Sequence, residues 1–264
     1  MKVRVGDIEV GYTRVGHGER VVLVHGLAED RASWAPVQSE LNEFESFAYD
    51  LRGHGETSLG EAQGTLEQLG EDLSRFLADV SGPAACVGYS LGGAVVLWVA
   101  RFRPDLVRHA VVAGTSSVVG KAALGFFESR IRTLREDRSA FEADFRSDNA
   151  AQLVSRKDLL DAVVARRLAA VGAGGGYINA ARAMMKLAGM PLTPILGAIR
   201  GPVDIIQAEQ DAFGPRKAAD ILRQALPEAG YHEIHTAGHL MSVDQPVVYA
   251  ETIQRALSAR RNAT

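Results

Sequence analysis

A serine, an aspartate and a histidine, far apart in the chain, each stand just beyond a short apolar run. Ser90 lies in Gly88-Tyr89-Ser90-Leu91-Gly92-Gly93, after the run Ala84 to Val87 and before the helical pattern Ala94 to Phe102. The order predicts a strand, a sharp turn and a helix, with the serine at the apex. So tight a reversal strains the apex backbone and is tolerated only where the residues two before and two after it carry no bulky side chain. Gly88 and Gly92 meet that requirement. Such a turn holds the hydroxyl clear of the sheet and points the Leu91 amide, at the N-terminus of the new helix, toward a bound group. The chemistry on offer is attack of a serine oxygen on an acyl carbonyl, with half an oxyanion site beside it.

A hydroxyl is a weak nucleophile until a base takes its proton, and the base needs a carboxylate to hold its tautomer. Among seven histidines, His239 in Thr236-Ala237-Gly238-His239 follows the last expected strand. That places it on the same strand-end edge as Ser90, where ligands bind in open α/β sheets. His17, His109 and His232 have no such setting and read as surface or core residues. Asp211, on the loop after the preceding strand, is the candidate acid; Glu209 is the near alternative, and Asp204 falls inside the strand. An aspartate at a strand end also forms Asx turns with no catalytic role. The second oxyanion donor is expected from His25-Gly26-Leu27, where glycine permits close backbone approach and the Leu27 amide is the named donor. Loss of one such donor typically costs about 3 to 4 kcal/mol in barrier height.

Other chemistries fit less well. His232 and His235 are three apart in an expected strand, so they face opposite sides and cannot share a metal ion with His239. Gly172-Ala173-Gly174-Gly175-Gly176 has no strand before it and no Lys-Ser/Thr after it, which argues against a phosphate loop and hence a nucleotide cofactor. No cofactor or metal is expected. A formal charge of −3 gives no sign of a nucleic-acid partner, and apolar (47%) and charged (23%) fractions are those of a soluble globular chain. The single cysteine, Cys86, lies in a core strand and reads as inert. With no apolar run near the roughly 18 residues that span a bilayer, the chain is expected to be cytoplasmic, off the membrane, and to act on a small molecule. Its oligomeric state is not specified.

The positioning elements alternate. Val3 to Val15 reads as a hairpin about Gly6-Asp7, and Val21 to Val24 as a strand buried on both faces. Trp34 to Leu41 reads as a helix with Pro36 in its first turn, and Phe44 to Tyr49 as a strand. A helix from Thr65, with a Thr-x-x-Gln capping box, runs to about Val80; the elbow and a strand from Leu106 to Ala113 follow. After Gly114 some 80 residues are helical in period: Phe127, Ile131, Leu134; Leu160, Val163, Val164, Leu168; Met184, Met185, Leu187. The glycine run at 172–176 is a hinge candidate, and the interleaved charges of Arg130 to Arg138 read as a solvated face. Strands from Pro202 and Tyr231 and helices from Pro215 and to Ala259 complete the chain, with a frayed tail at Arg260 to Thr264.

With the Gly88-to-Gly92 elbow, His25-Gly26, Asp50-Leu51-Arg52-Gly53-His54-Gly55, Asp211 and His239 in this order, the chain resembles the α/β-hydrolase fold family along nearly its whole length. The resemblance implies an α/β fold with an eight-stranded, mostly parallel sheet and flanking helices. It implies a core at 1–116 and 200–264 and a helical cap at 117–199, inserted after the sixth strand, with the site between them. Trp34 matches a tryptophan often found after the His-Gly loop, and Thr57 stands where the Asp-x-Arg-Gly-x-Gly turn usually ends in serine. Relatives that open epoxides or remove halide carry aspartate at the elbow, so Ser90 argues against both. Ester or lactone hydrolysis is the leading expectation. Hydrolysis of a carbon–carbon bond in ring-cleavage products is the runner-up, though those relatives often have asparagine where Tyr89 stands. A menaquinone-pathway lyase, a perhydrolase side activity and a non-catalytic small-molecule binder are the other readings. Residues expected to contact substrate are His25, Gly26, Trp34, Tyr89, Phe126, Phe127 and Met184, with Met185 beside them; packing of the cap itself explains the apolar ones equally well.

Overall fold

The computed structural model describes the backbone of residues 1–261 and side chains through residue 259. Eight strands form one sheet in the order β1-β2-β4-β3-β5-β6-β7-β8. They are β1 (Lys2–Val5), β2 (Ile8–Val15), β3 (Glu19–Val24), β4 (Phe44–Tyr49), β5 (Ala84–Tyr89), β6 (Val107–Ala113), β7 (Val203–Ala208) and β8 (Gly230–Ile234). The β1-β2 hairpin joins antiparallel through β2 and β4, and every other pairing is parallel. The α/β-hydrolase fold is therefore present.

Both faces of the sheet are covered, which explains the unbroken apolar runs of its central strands. In β3, Val22 and Val24 pack on one side with Leu69, Leu73 and Phe76, while Val21 and Leu23 pack on the other with Trp34, Leu41 and Tyr249. The first side is covered by α2 (Leu66–Phe76) and α3 (Leu91–Phe102), the second by α1 (Ala35–Glu40). Between β6 and β7 the chain forms α4 (Lys121–Glu136), α5 (Arg138–Gln152), α6 (Leu160–Val171), α7 (Gly175–Lys186) and the short α8 (Thr193–Leu196). After β7 come α9 (Arg216–Ala225), the single turn α10 (Met241–Asp244) and α11 (Pro246–Arg261), which joins α1 on the second face. No helix among the described residues is long and apolar enough to cross a membrane.

Several local expectations are revised. The Thr65 hydroxyl accepts from the Gln68 amide at 3.0 Å, but the Gln68 side chain accepts from the Gln63 amide and donates to the Glu61 carbonyl instead of returning to Thr65. Only half a capping box forms, because the incoming chain competes for the glutamine. The helix expected from Trp34 is preceded by a 3₁₀ turn, Arg31–Trp34, capped by Asp30, and α2 runs on as a single π turn, Leu77–Ser81. The glycine run at 172–176, a hinge candidate from its sequence, forms a tight turn packed at one end. Gly172 and Gly174 adopt positive φ to close the turn between α6 and α7, and Gly176 packs so tightly on the Gly53 backbone that any Cβ would collide with it. The expected fraying at Arg260 to Thr264 falls on residues whose side chains, and from 262 on whose backbone, are outside the described set.

Parallel pairing of β3, β5, β6, β7 and β8 brings their C-terminal ends to one edge. The chain leaves β3 for β4 on one side and has β5 on the other, so the order switches direction between β3 and β5. The loops after these two strands diverge there and open a crevice. Leu27 and Ser90 stand at its two lips.

Candidate active site

Ser90 has φ 51° and ψ −117°, one of only three positive-φ residues other than glycine among the described residues. The glycines around it are required by contact. A Cβ on Gly88 would collide with the Gly92 carbonyl, and one on Gly92 with the Val24 and His25 carbonyls. The elbow is clamped further by the Ser90 amide donating to the Ala113 carbonyl at 2.8 Å and by the Thr115 hydroxyl donating to the Ser90 carbonyl at 2.6 Å. Although Ser90 is the N-cap of α3, its side chain makes no capping bond, so the hydroxyl is available elsewhere.

That hydroxyl lies 3.1 Å from Nε2 of His239, whose Nδ1 lies 2.8 Å from Oδ2 of Asp211. The Asp211 carboxylate is wholly buried, and its other oxygen accepts the Phe213 and Gly214 amides at 2.9 and 2.6 Å. An ionised carboxylate held in this way favours a proton on Nδ1, which leaves the Nε2 lone pair for the serine hydroxyl. Glu209 turns away: it accepts the Thr236 amide and sits 3.8 Å from the exposed His235. Gly114, at φ 55°, lets the β6 end pass beneath, since a Cβ there would lie 3.3 Å from Asp211 Oδ2 and 3.4 Å from His239 Cε1. Leu91 and Leu27 both line the cavity above Ser90, and neither amide donates a hydrogen bond among the described residues. A hydroxyl, a base oriented by a buried acid and two free amides are the parts required for acyl transfer.

The sequence profile of the α/β-hydrolase fold matches residues 19–246. The chain belongs to the α/β-hydrolase fold family. It is similar to pyrrolizixenacetamide deacetylase of Xenorhabdus hominickii, with 28% identity over 93% of each chain. It is similar to 3-oxoadipate enol-lactonase 2 of Acinetobacter baylyi, with 24% identity covering 95% of this chain and 94% of that one. An esterase of Mycobacterium tuberculosis is 28% identical over 93% of this chain and 85% of its own. Among solved structures, the enol-lactonase of Burkholderia xenovorans superposes with a TM-score of 0.87 at 22% identity, covering 98% of this chain and 100% of that one. This α/β-hydrolase is an enzyme, and the relatives above are named a deacetylase, enol-lactonases and an esterase.

The cavity at the crevice is about 640 Å³, within the range of small-molecule sites. Tyr89, Phe126, Phe127 and Met184, four of the residues named from the sequence, line it. His25, Gly26 and Trp34 do not, and those three expectations are corrected. The buried His25 ring accepts the Leu51 amide through Nε2 at 2.9 Å and meets its neighbouring Gly26 carbonyl through Nδ1. Gly26 packs against Tyr89 and Ser90, where a Cβ would lie 2.8 Å from the Tyr89 ring. Trp34 stacks on Tyr249 beneath the sheet. Met185 lies on a separate outer groove with Arg132 and Arg135.

The Asp50-to-Gly55 turn is a brace. Asp50 accepts the Arg31 and Glu56 amides and pairs with the Arg31 guanidinium, while Arg52 bridges Asp7 and Asp72. Burial and the neighbouring His25 push His54 down to about 3, so it is neutral in the fold. Thr57 serves where serine is usual, since its hydroxyl accepts from Gly11 and donates to Asp50. Asp204 joins His109 and His232 across β6, β7 and β8; burial opposes its charge, but those two hydrogen bonds hold its carboxyl below the usual range.

Sequence reasoning passed over Phe213, Gln152, Arg167 and Tyr177, all on the cavity wall. For Arg167 a signal existed. It falls on the buried stripe of α6 with Val163, Val164 and Val171, where an arginine has no packing reason to be.

Proposed function

We propose that this α/β-hydrolase cleaves a carboxylic ester or lactone of a small, largely apolar substrate through an acyl-enzyme. The reading is carried by the contiguous chain Ser90 Oγ, His239, Asp211, with Nε2 at 3.1 Å and Nδ1 at 2.8 Å. His239 takes the Ser90 proton as Oγ attacks the carbonyl carbon, and the Leu91 and Leu27 amides hold the oxyanion. Asp211 stabilises the imidazolium, which then protonates the leaving alkoxide. Water activated by the same imidazole attacks the acyl-enzyme, and collapse returns Ser90 and releases the acid. The relatives named lactonase, esterase and deacetylase all act at acyl carbonyls, which supports this class.

Residues 117–199 act as a cap in this reading. Phe126, Phe127 and Met184 from the cap face the elbow and exclude water from the acyl pocket. The enzyme works in a reducing, cytoplasmic setting, consistent with a lone buried Cys86 whose thiol burial pushes well up. A panel of small esters and lactones, run beside a ring-cleavage dienoate, tests the reaction class. Turnover of esters or lactones with none of the dienoate is the expected result; the reverse would transfer the site to carbon–carbon bond hydrolysis.

A further inference from the structure

Arg167, on α6, is only 6% exposed yet lines the cavity. Its Nη1 donates to Asn149 Oδ1 at 2.8 Å and Gln152 Oε1 at 3.0 Å, Nη2 to the Leu27 carbonyl at 3.0 Å, and Nε to the Ala28 carbonyl at 3.4 Å. All four acceptors are neutral, and among the described residues no ion pair includes Arg167. The carboxylate sharing the wall, Asp148, is held by Arg130 through both oxygens at 2.6 and 2.8 Å. Glu29 is buried behind the Leu27 loop, approached by the Gly26 amide at 3.4 Å, and is not on the wall; Lys217, exposed on the wall, adds a further positive charge. Removing a guanidinium from water with no carboxylate in contact is costly to the fold.

One Nη2 proton of the five guanidinium protons is left over. Tyr177 on α7 is 2% exposed, lines the same cavity and has a hydroxyl with no hydrogen bond among the described residues. Burial, aided by the Asp148 charge, pushes its phenol up, so it keeps its proton. The guanidinium carbon lies over the Phe145 ring, 5.7 Å from its centroid.

We propose that Arg167 and Tyr177 form a carboxylate subsite, so that the substrate is an ester or lactone bearing a carboxylate a few bonds from the scissile carbonyl. This rests on the hydrolase reading above. One charged and one neutral donor on the same cavity, close enough for the Arg167 charge to act on the Tyr177 phenol, suit a carboxylate and would leave a phosphate under-satisfied. The spacing follows from Leu27, whose carbonyl touches Arg167 and whose amide is the oxyanion donor.

The test compares monomethyl succinate, glutarate and adipate with the neutral methyl esters of the same chain length. The wild type is expected to favour the best anionic member in kcat/KM by about tenfold or more. Arg167→Met lowers that anionic-to-neutral ratio by about 30-fold and Tyr177→Phe by about fivefold, mostly through KM. A wild-type ratio at or below one, or a loss shared equally by both ester series, overturns the subsite and leaves the hydrolase reading standing. Should Arg167→Met fail to fold, the Tyr177→Phe ratio decides. Calorimetric titration of the free diacids into the wild type needs no turnover: binding weakened in Tyr177→Phe supports the subsite, and no binding of any diacid overturns it even if ester hydrolysis fails altogether.

Discussion

Tyr89 donates its phenol proton to the main-chain carbonyl of His239 at 2.9 Å, and the two rings lie 5.1 Å apart. The residue immediately before the elbow serine thus holds the loop that carries the base, across a sequence separation of 150. The bond holds the His239 backbone beside the elbow, while the Asp211 contact at Nδ1 turns the ring toward Oγ.

Tyr89→Phe removes that bond while keeping the ring against Gly26. Unfolding free energy is expected to fall by about 1 kcal/mol, the net worth of a typical buried hydrogen bond. Turnover of a small aryl ester should fall several-fold in kcat with little change in KM. Urea melts and steady-state kinetics check both; an unchanged kcat would mean the His239 loop is held by other contacts.

Asp211→Asn keeps the shape but lets an amide meet Nδ1, favouring the wrong tautomer. A loss of about 10⁴ in kcat is expected. Glu209→Gln, which alters an exposed contact with the Thr236 amide, should stay within about twofold. Near-normal rates in the first and a large loss in the second would move the acid to Glu209.

Gly92→Ala would drive a Cβ into the Val24 and His25 carbonyls, backbone atoms that cannot rotate away. Destabilisation of about 3 kcal/mol or more is expected. Gly189→Ala, where nothing lies within 4 Å of the new Cβ, is the matched control and should change stability by under about 1 kcal/mol. Thermal melts of the pair give the comparison.

His54 sets a pH dependence of stability. Its folded pKa of about 3 lies below the ordinary value of 6.5, so between these limits the unfolded chain binds a proton that the fold refuses. Stability is therefore full above pH 6.5 and falls as pH drops toward 3, with a slope of up to about 1.4 kcal/mol per pH unit from this group. Urea melts between about pH 6.5 and 4.5 should show this slope in the wild type and a shallower one in His54→Asn; equal slopes would assign it to other groups.

The sheet was legible because β3 and β5 are apolar on both faces and the elbow needs glycine at 88 and 92 for steric reasons that show in sequence. His239 and Asp211 were legible as candidates because each follows a strand, and the parallel order brings strand ends together. His25 and Trp34 were misread because adjacency to the oxyanion loop does not say which way a side chain turns, and both turn into the core; Gly26 is filled over by Tyr89 and Ser90. The glycine run at 172–176 suggested mobility, yet Gly176 is needed for close packing on Gly53, a partner more than a hundred residues away. Arg167 and Tyr177 depend on how α5, α6 and α7 pack over Leu27, which periodicity cannot specify.

The central claim is that Ser90 is the nucleophile, and the most direct measurement is aryl-ester turnover by Ser90→Ala beside the wild type, each first shown by its melt to be folded. The account predicts a folded variant whose kcat is lower by at least about 10³ and which takes up no fluorophosphonate label, while the wild type is labelled once, at Ser90. A folded Ser90→Ala enzyme that turns over the ester at the wild-type rate would contradict it.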